Sequence, residues 1–268
     1  MSRYFVEVHE PTSLLPEGGA DRERFDAAWS RLGIDAEHWH RAVRVEDGSD
    51  EPLFLKGMYV AWSPNVQHFL RRWHVRNEFR NLLALRDLGL EIPEVLAWGQ
   101  ERRFGLPVRS FLMQRVIREG VDFSRYIAEE RDPAARLETF RAVGRAVAGL
   151  HASGWIHGDL ACRNLMVRPA RGDVVFVDLA RVKPARPDRL DWRRRKELYR
   201  LVKSADKCGA SPEEVDAMLR EAAGADAAAV ISATRALRAF DGRAARKWRT
   251  WIWRATGRLP RQSSVRAG

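Results

Sequence analysis

Cysteine is almost absent from this chain: Cys162 and Cys208 are the two among 268 residues. That excludes a disulfide framework and makes a reducing compartment the expectation. Long apolar runs are missing too. Nothing approaches the roughly 20 residues needed to span a bilayer, and Met1 to Glu7 has no signal-peptide core. A cytoplasmic location is expected. Negative charge is in deficit, with 36 Asp+Glu against 47 Lys+Arg and a formal net charge of +11. Such a balance favours polyanionic partners, whether nucleic acid, anionic lipid or an acidic glycan, without choosing among them. No internal repeat and no low-complexity linker is present. What remains is 45% hydrophobic and 31% charged, which is ordinary for a globular protein. The length suffices for one large domain or two small lobes around a shared cleft.

Residues 1–40 carry little signal beyond Asp21 to Leu32, where Phe25, Ala28, Trp29 and Leu32 predict one face of a short helix. His40 to Glu46 alternates about Val43 and Val45. Asp47-Gly48-Ser49-Asp50 reads as a turn and Leu53-Phe54-Leu55-Lys56 as the second strand of a hairpin. Lys56 shares a face with Phe54 by the period of two. A lysine there can escape to solvent at a sheet edge. A second reading arises because His74 to Leu88 predicts a helix, with Val75, Phe79, Leu82, Leu83 and Leu85 apolar and Gly89 as its stop. Glu78 lies in its first turns. A strand lysine paired to a helix glutamate holds a cation against nucleotide phosphates in kinases.

Leu90 to Gly99 leads into a strand, Glu101-Arg102-Arg103-Phe104-Gly105 reads as a turn, and Val108 to Ile117 is the next strand, with Met113 and Gln114 near its end. Glu119-Gly120-Val121-Asp122 is the natural crossing point to a helical region. There Asp132-Pro133 opens a helix whose Leu137, Phe140, Val143, Val147 and Leu150 share a face. Leu190 to Ala205 is another, Ser211-Pro212-Glu213-Glu214 is a capping box, and Asp226 opens a last helix through Leu237. The expected organisation is 1–118, β-rich and nucleotide-binding; 119–240, mainly helical; and a tail, 241–268.

The chemistry concentrates in His157-Gly158-Asp159-Leu160-Ala161-Cys162-Arg163-Asn164 and in Val174-Val175-Phe176-Val177-Asp178. Asp159, Asn164 and Asp178 are spaced by five and fourteen. The apolar runs Leu165 to Val167 and Val174 to Val177 are joined by a turn over Arg168 to Asp173. That reads as a loop, a hairpin, and a carboxylate at the end of its second strand. An aspartate on the loop can act as base, while Asn164 and Asp178 can share a hard cation through oxygen. This is the layout of a kinase catalytic loop and its metal-binding aspartate. Nothing around Cys162 suggests a nucleophile, so it reads as a filler.

The run Arg76-Asn77-Glu78-Phe79, then Leu85-Arg86-Asp87-Leu88-Gly89-Leu90-Glu91-Ile92-Pro93, Ala97-Trp98-Gly99 and Leu106 to Leu112, resembles the lipopolysaccharide kinase family. So do Phe54-Leu55-Lys56, the His157 to Asn164 loop, and Arg194-Arg195-Lys196-Glu197-Leu198 with Leu201-Val202-Lys203-Ser204. The resemblance covers roughly residues 50–205. Members of that bacterial group phosphorylate heptose or Kdo sugars of the lipopolysaccharide inner core. It implies an α+β, bilobal protein-kinase-like fold: a small antiparallel sheet with one helix, followed by a mainly helical lobe. It implies ATP and Mg²⁺ as cofactors. Carried over by position, Asp159 is the base, Asn164 and Asp178 hold Mg²⁺, Lys56 contacts the phosphates and Glu78 positions Lys56. Phe54 takes the place beneath the nucleotide base, and Met113 is counted among the nucleotide-binding residues. His157 orients the loop rather than moving a proton.

Two departures accompany the resemblance. No G-x-G-x-x-G precedes Lys56, the nearby glycines being Gly33 and Gly48, and Asp178 is followed by Leu179-Ala180 instead of Phe-Gly. The alternatives are a kinase of a protein or another small molecule, and a nucleotide-poor scaffold. A basic chain disfavours cationic antibiotics as acceptors and suits an anionic lipopolysaccharide core. From Arg238 to Gly268 there are nine basic residues and one acidic, with Trp248, Trp251 and Trp253. On a helix Trp248, Trp251, Ile252 and Ala255 share a face. Three readings stand for this tail: packing on the helical lobe, peripheral contact with the anionic cytoplasmic face of the inner membrane, or stacking on nucleic acid, the last being the least favoured. The oligomeric state is not legible.

Overall fold

The computed structural model describes residues 2–10, 12–34, 40–46, 52–59, 74–186, 188 and 190–238. The expected turn at Asp47 to Asp50 and the basic tail beyond Arg238 lie outside the described residues. The chain divides into two compact units. The first comprises Met1–Val121, Asn164–Arg168 and Val174–Lys183; the second comprises Asp122–Arg163, Pro169–Asp173 and Pro184–Gly268.

The first unit is built on a five-stranded antiparallel sheet of β1 (Ser2–Val8), β2 (His40–Val45), β3 (Leu53–Tyr59), β4 (Val95–Arg103) and β5 (Leu106–Arg115), in the order β1-β4-β5-β3-β2. Alternation sorts its side chains. Leu55 of β3 faces Met113 of β5, which faces Ala97 of β4; this row is buried with Leu53, Phe111 and Val6. Helix α1 (Asp21–Leu32) covers that face with Phe25, Ala28 and Leu32, as its spacing predicts. Its start is favoured by Asp21 and Glu23 in the first turn, and the Glu23 carboxylate accepts the Ala20 N–H at 3.2 Å. The close approach depends on Gly57, where a Cβ would lie 2.2 Å from the Leu32 side chain.

The opposite face carries the row Lys56, Leu112 and Trp98. Helix α2 (His74–Asp87) packs here, with Phe79 stacked on Trp98 at a ring separation of 5.2 Å. Two helices therefore clothe the sheet, both in stretches whose apolar spacing predicts a helix. A short hairpin, β6 (Leu165–Arg168) and β7 (Asp173–Phe176), lies in a sheet separate from these five strands. Phe176 donates its N–H to the Glu91 carbonyl at 3.1 Å, and Arg168 pairs with the Glu91 carboxylate at 2.9 Å.

Two features of this unit depart from expectation. Strand β1 lies in a stretch with little signal; it pairs along its whole length with β4, and only Val6 of its residues is buried. Glu101-Arg102-Arg103 is strand, not turn; the reversal is confined to Phe104-Gly105, both with positive φ. Glu101 is fully buried and accepts from Arg109, from Arg103 at 3.1 Å and from Ser2 Oγ at 2.9 Å. Burial works against its charge, but these donors outweigh it and hold the carboxyl below the usual range.

The second unit is helical: α3 (Phe123–Glu129), α4 (Pro133–Ala152), α5 (Leu190–Lys207), α6 (Pro212–Ala223) and α7 (Ala227–Arg238). Asp122 and Asp132 cap α3 and α4, Pro133 opens α4, and Ser211 with Glu214 forms the expected capping box of α6. Arg136 joins three of these helices. It makes a two-pronged pair with Glu214, and its guanidinium also donates to the carbonyls of Ile127, Glu130 and Gly209. Among the described residues no helix is long and apolar enough to cross a membrane.

Helices α4 and α6 meet at Gly144, where a Cβ would lie 2.4 Å from the Met218 carbonyl oxygen and 2.6 Å from Glu221 Cβ. Alanine would gain about 0.5–1 kcal/mol over glycine within a helix. Pushing a backbone carbonyl aside is an overpacking penalty of about 1–3 kcal/mol, which wins. Gly144→Ala is therefore expected to lower the thermal midpoint; an equal or higher midpoint would show that these helices separate freely.

Candidate active site

The site is assembled from the Lys56 face of the first unit. Lys56 Nζ lies 2.7 Å from Glu78 Oε2 and 3.0 Å from Asp178 Oδ1. The lysine comes from an interior strand flanked by β2 and β5, so the edge escape to solvent does not occur. Glu78 comes from α2 and is buried, while the Asp178 side chain is half exposed. Burial pulls the Lys56 pKa down, but the two carboxylates outweigh it and hold the ammonium above its ordinary value. Burial pushes the Glu78 carboxyl up, against the pull of Lys56. Lys56 is thus a fixed positive charge at neutral pH.

Asp178 ends the β7 run and has φ 56 and ψ 56, a left-handed conformation. The Val177 N–H beside it donates to the Asn164 carbonyl at 3.0 Å, which ties the two candidate metal residues together through the backbone. Asn164 is buried. Among the described residues no cluster of three or more His, Cys, Asp or Glu side chains could hold a metal alone. One carboxylate and one amide oxygen suit a hard ion that keeps waters and takes its other ligands from substrate phosphates, which is the habit of Mg²⁺.

In the second unit, Asp159 lies on the loop after α4. Its Oδ2 is 3.2 Å from Arg163 and its Oδ1 is 3.9 Å from Arg200, which also donates to the Gly158 carbonyl at 2.8 Å. The loop is anchored by Glu197 of α5. This buried carboxylate accepts the N–H of His157 at 3.0 Å, the N–H of Gly158, and a contact from His151 Nε2 at 3.1 Å. Burial disfavours its charge, yet the His151 hydrogen bond and the backbone N–H groups outweigh that and hold it below the usual range. His157 is fully buried. Cys162 is also fully buried; its thiol is pushed up to about 12 by desolvation, and its N–H donates to Ser204 Oγ at 3.1 Å. An un-ionised thiol is no nucleophile.

The structure brings Lys56, Glu78 and Asp178 together, with Asn164 in the same unit. Phe54 lies on the Lys56 face and is 37% exposed. Met113 must be corrected. Its partner in the sheet is Leu55, so its side chain enters the core under α1, where Thr12 Oγ1 lies 3.6 Å from its sulfur. The β5 side chains that share the face of Phe54 and Lys56 are Gln114 and Leu112. Glu197 and Arg200 received no role from the sequence. Their signal is a spacing of three on one helix face, 39 to 42 residues after the loop positions they touch.

Glu197 gives a pH-dependent test. Its folded pKa lies below the ordinary value of 4.5, so its stabilisation is present above that range and is lost as pH falls through the folded value. Glu197→Gln turns one acceptor into a donor facing N–H groups, at about 1–3 kcal/mol for each donor left unsatisfied. Denaturant unfolding at neutral pH is expected to show that loss, and the gap from wild type to narrow as pH drops below 4.5. A gap constant with pH would contradict the assignment.

Comparison with known proteins supports one family. A 3-deoxy-D-manno-octulosonic acid kinase of Stenotrophomonas maltophilia is 31% identical over 206 residues, covering 70% of this chain and 79% of the relative. The EKC/KEOPS complex subunit bud32 of Aspergillus clavatus is 28% identical over 177 residues, covering 53% of this chain and 63% of that protein. The chain thus spans a little under two thirds of the length of the Aspergillus relative. A solved structure described as WaaP in complex with acyl carrier protein superposes with a TM-score of 0.58 at 21% identity, covering 83% of this chain and 91% of that one. This likeness establishes the protein-kinase-like fold. Residues 35–233 match the lipopolysaccharide kinase (Kdo/WaaP) family, and the chain belongs to that family.

Proposed function

We propose that this protein is an ATP-dependent kinase that phosphorylates a hydroxyl of a lipopolysaccharide inner-core sugar, Kdo or heptose. The observation that carries the reading is Lys56, held at once by Glu78 at 2.7 Å and Asp178 at 3.0 Å. A cation fixed in this way beside a metal-binding carboxylate is the arrangement phosphoryl transfer needs.

Bound nucleotide and Mg²⁺ supply the phosphoryl group and neutralise its charge. Lys56 binds phosphate oxygens and Glu78 keeps the ammonium in place. Asn164 and Asp178 offer oxygen ligands. Asp159 accepts the proton of the acceptor hydroxyl, and Glu197 holds its loop still. Such chemistry rests on positioning and charge more than on covalent participation. The relative named for a sugar acid makes Kdo the first acceptor to assay. An anionic acceptor also suits a chain of net charge +11.

Purified protein with labelled ATP and Mg²⁺ is expected to label Kdo-bearing or heptose-bearing core precursor and not casein. Label in casein alone would overturn the sugar-kinase reading, and no thermal stabilisation by Mg²⁺ and ATP would leave a scaffold. Asp159→Asn is expected to lower the rate about 10²–10⁴-fold with the thermal midpoint near wild type.

The tail is proposed to hold the enzyme at an anionic membrane surface through its arginines and tryptophans. Deleting residues 239–268 is expected to release the protein from anionic vesicles in a flotation assay; retained binding would refute that role.

A further inference from the structure

Helix α2 carries a second polar side chain one turn beyond Glu78. Asn81 Nδ2 donates to the carbonyl of Leu179 at 2.6 Å and to that of Val182 at 2.8 Å. Both partners can only accept, so the orientation of the amide is determined: its nitrogen faces them. These carbonyls belong to the short turn that follows Asp178, Leu179–Arg181 and its cap Val182. The N–H of Leu179 donates in turn to Glu78. Leu179 is therefore gripped at both of its backbone polar groups by side chains at i and i+3 of one helix.

This grip bears on the residue just before it. Asp178 has a Cβ and sits in the left-handed region, a conformation disfavoured for such residues unless the surroundings impose it. Two things impose it here. Lys56 holds its carboxylate, and Asn81 with Glu78 holds the backbone that follows. Neither Leu179 nor Ala180 has the freedom of a glycine, and the Leu179 side chain is 1% exposed.

We infer that Asn81 is a positioning residue: it locks the Asp178–Val182 turn to helix α2, so that the Asp178 carboxylate is presented ready-made and this turn does not serve as a switch. The inference rests on the proposed reading of Asp178 as a metal ligand. Partners that orient a metal ligand without touching the metal commonly change metal affinity or activity by about 10–100-fold when lost.

The decisive variant is Asn81→Leu, which keeps the branched heavy-atom skeleton of a partly buried side chain and removes the donor. Asn81→Asp, equal in shape, also removes it and guards against a packing defect peculiar to leucine. Two readouts are compared with wild type. In the ligand-free chain, amide hydrogen exchange at residues 179–182 is expected to accelerate in both variants while α2 stays protected. In the kinase assay, the Mg²⁺ concentration for half-maximal rate is expected to rise about 10–100-fold with the acceptor KM unchanged. Exchange and Mg²⁺ dependence both at wild-type levels would overturn the inference. A rise in acceptor KM matching the loss of rate would also overturn it, since that marks a general structural role. If wild-type protein transfers no phosphate to any acceptor, the kinase reading falls, and the exchange comparison alone decides whether Asn81 holds the turn.

Discussion

A lysine ammonium on the face of an interior strand, partly withdrawn from water, has to be compensated, and the first unit is arranged around that requirement. Glu78 and Asp178 approach Lys56 from different elements, a helix and the segment after a hairpin. Removing one member of a largely buried charge pair leaves the other uncompensated, at about 3–5 kcal/mol. The positions of these elements are thus coupled. Phe79 on Trp98 seats α2 on the Lys56 face, and Asn81 fixes the turn that follows Asp178. The opposite face packs an apolar core under α1, with Arg109 bridging the buried Glu101 and Asp26 of α1.

The second unit uses a buried glutamate for a different purpose. Glu197 meets backbone N–H groups instead of a cation, and its task is to hold the loop that carries Asp159. Arg136 repeats the device with the charge reversed, a guanidinium satisfied by Glu214 and by carbonyls at helix ends. In each case a charge that burial disfavours is tolerated because fixed donors or acceptors surround it. Such arrangements resist deformation, which suits a reaction that depends on where groups are held.

Much of this was legible from the chain. Period-two and helical alternation located β2, β3, α1, α2 and α4, because each buries one apolar face and exposes the other. Lys56 and Glu78 were marked as partners by a charge out of place in an apolar strand and an opposite charge on the next helix. The misreadings have physical causes. Glu101-Arg102-Arg103 reads as a turn because three charges in a row suggest solvent, yet Glu101 finds one donor across the hairpin on β5 and another on β1, 99 residues away. Strand β1 lacked signal because an edge strand with one buried residue needs little apolar pattern. That Met113 lies on the α1 side of the sheet was not legible, because alternation says which residues share a side, not which side meets which helix.

By itself the sequence determined the class of fold, the spacing of Asp159, Asn164 and Asp178 along the chain, and the basic character. Those are properties of composition, local periodicity and residue order. Tertiary structure alone decided that Lys56 bridges to Asp178 as well as to Glu78, that Asn81 grips the turn after Asp178, and that Glu197 anchors the loop of Asp159. Each of these joins residues separated by tens of positions or more, and a hydrogen bond between them exists only once packing has brought their elements within about 3 Å.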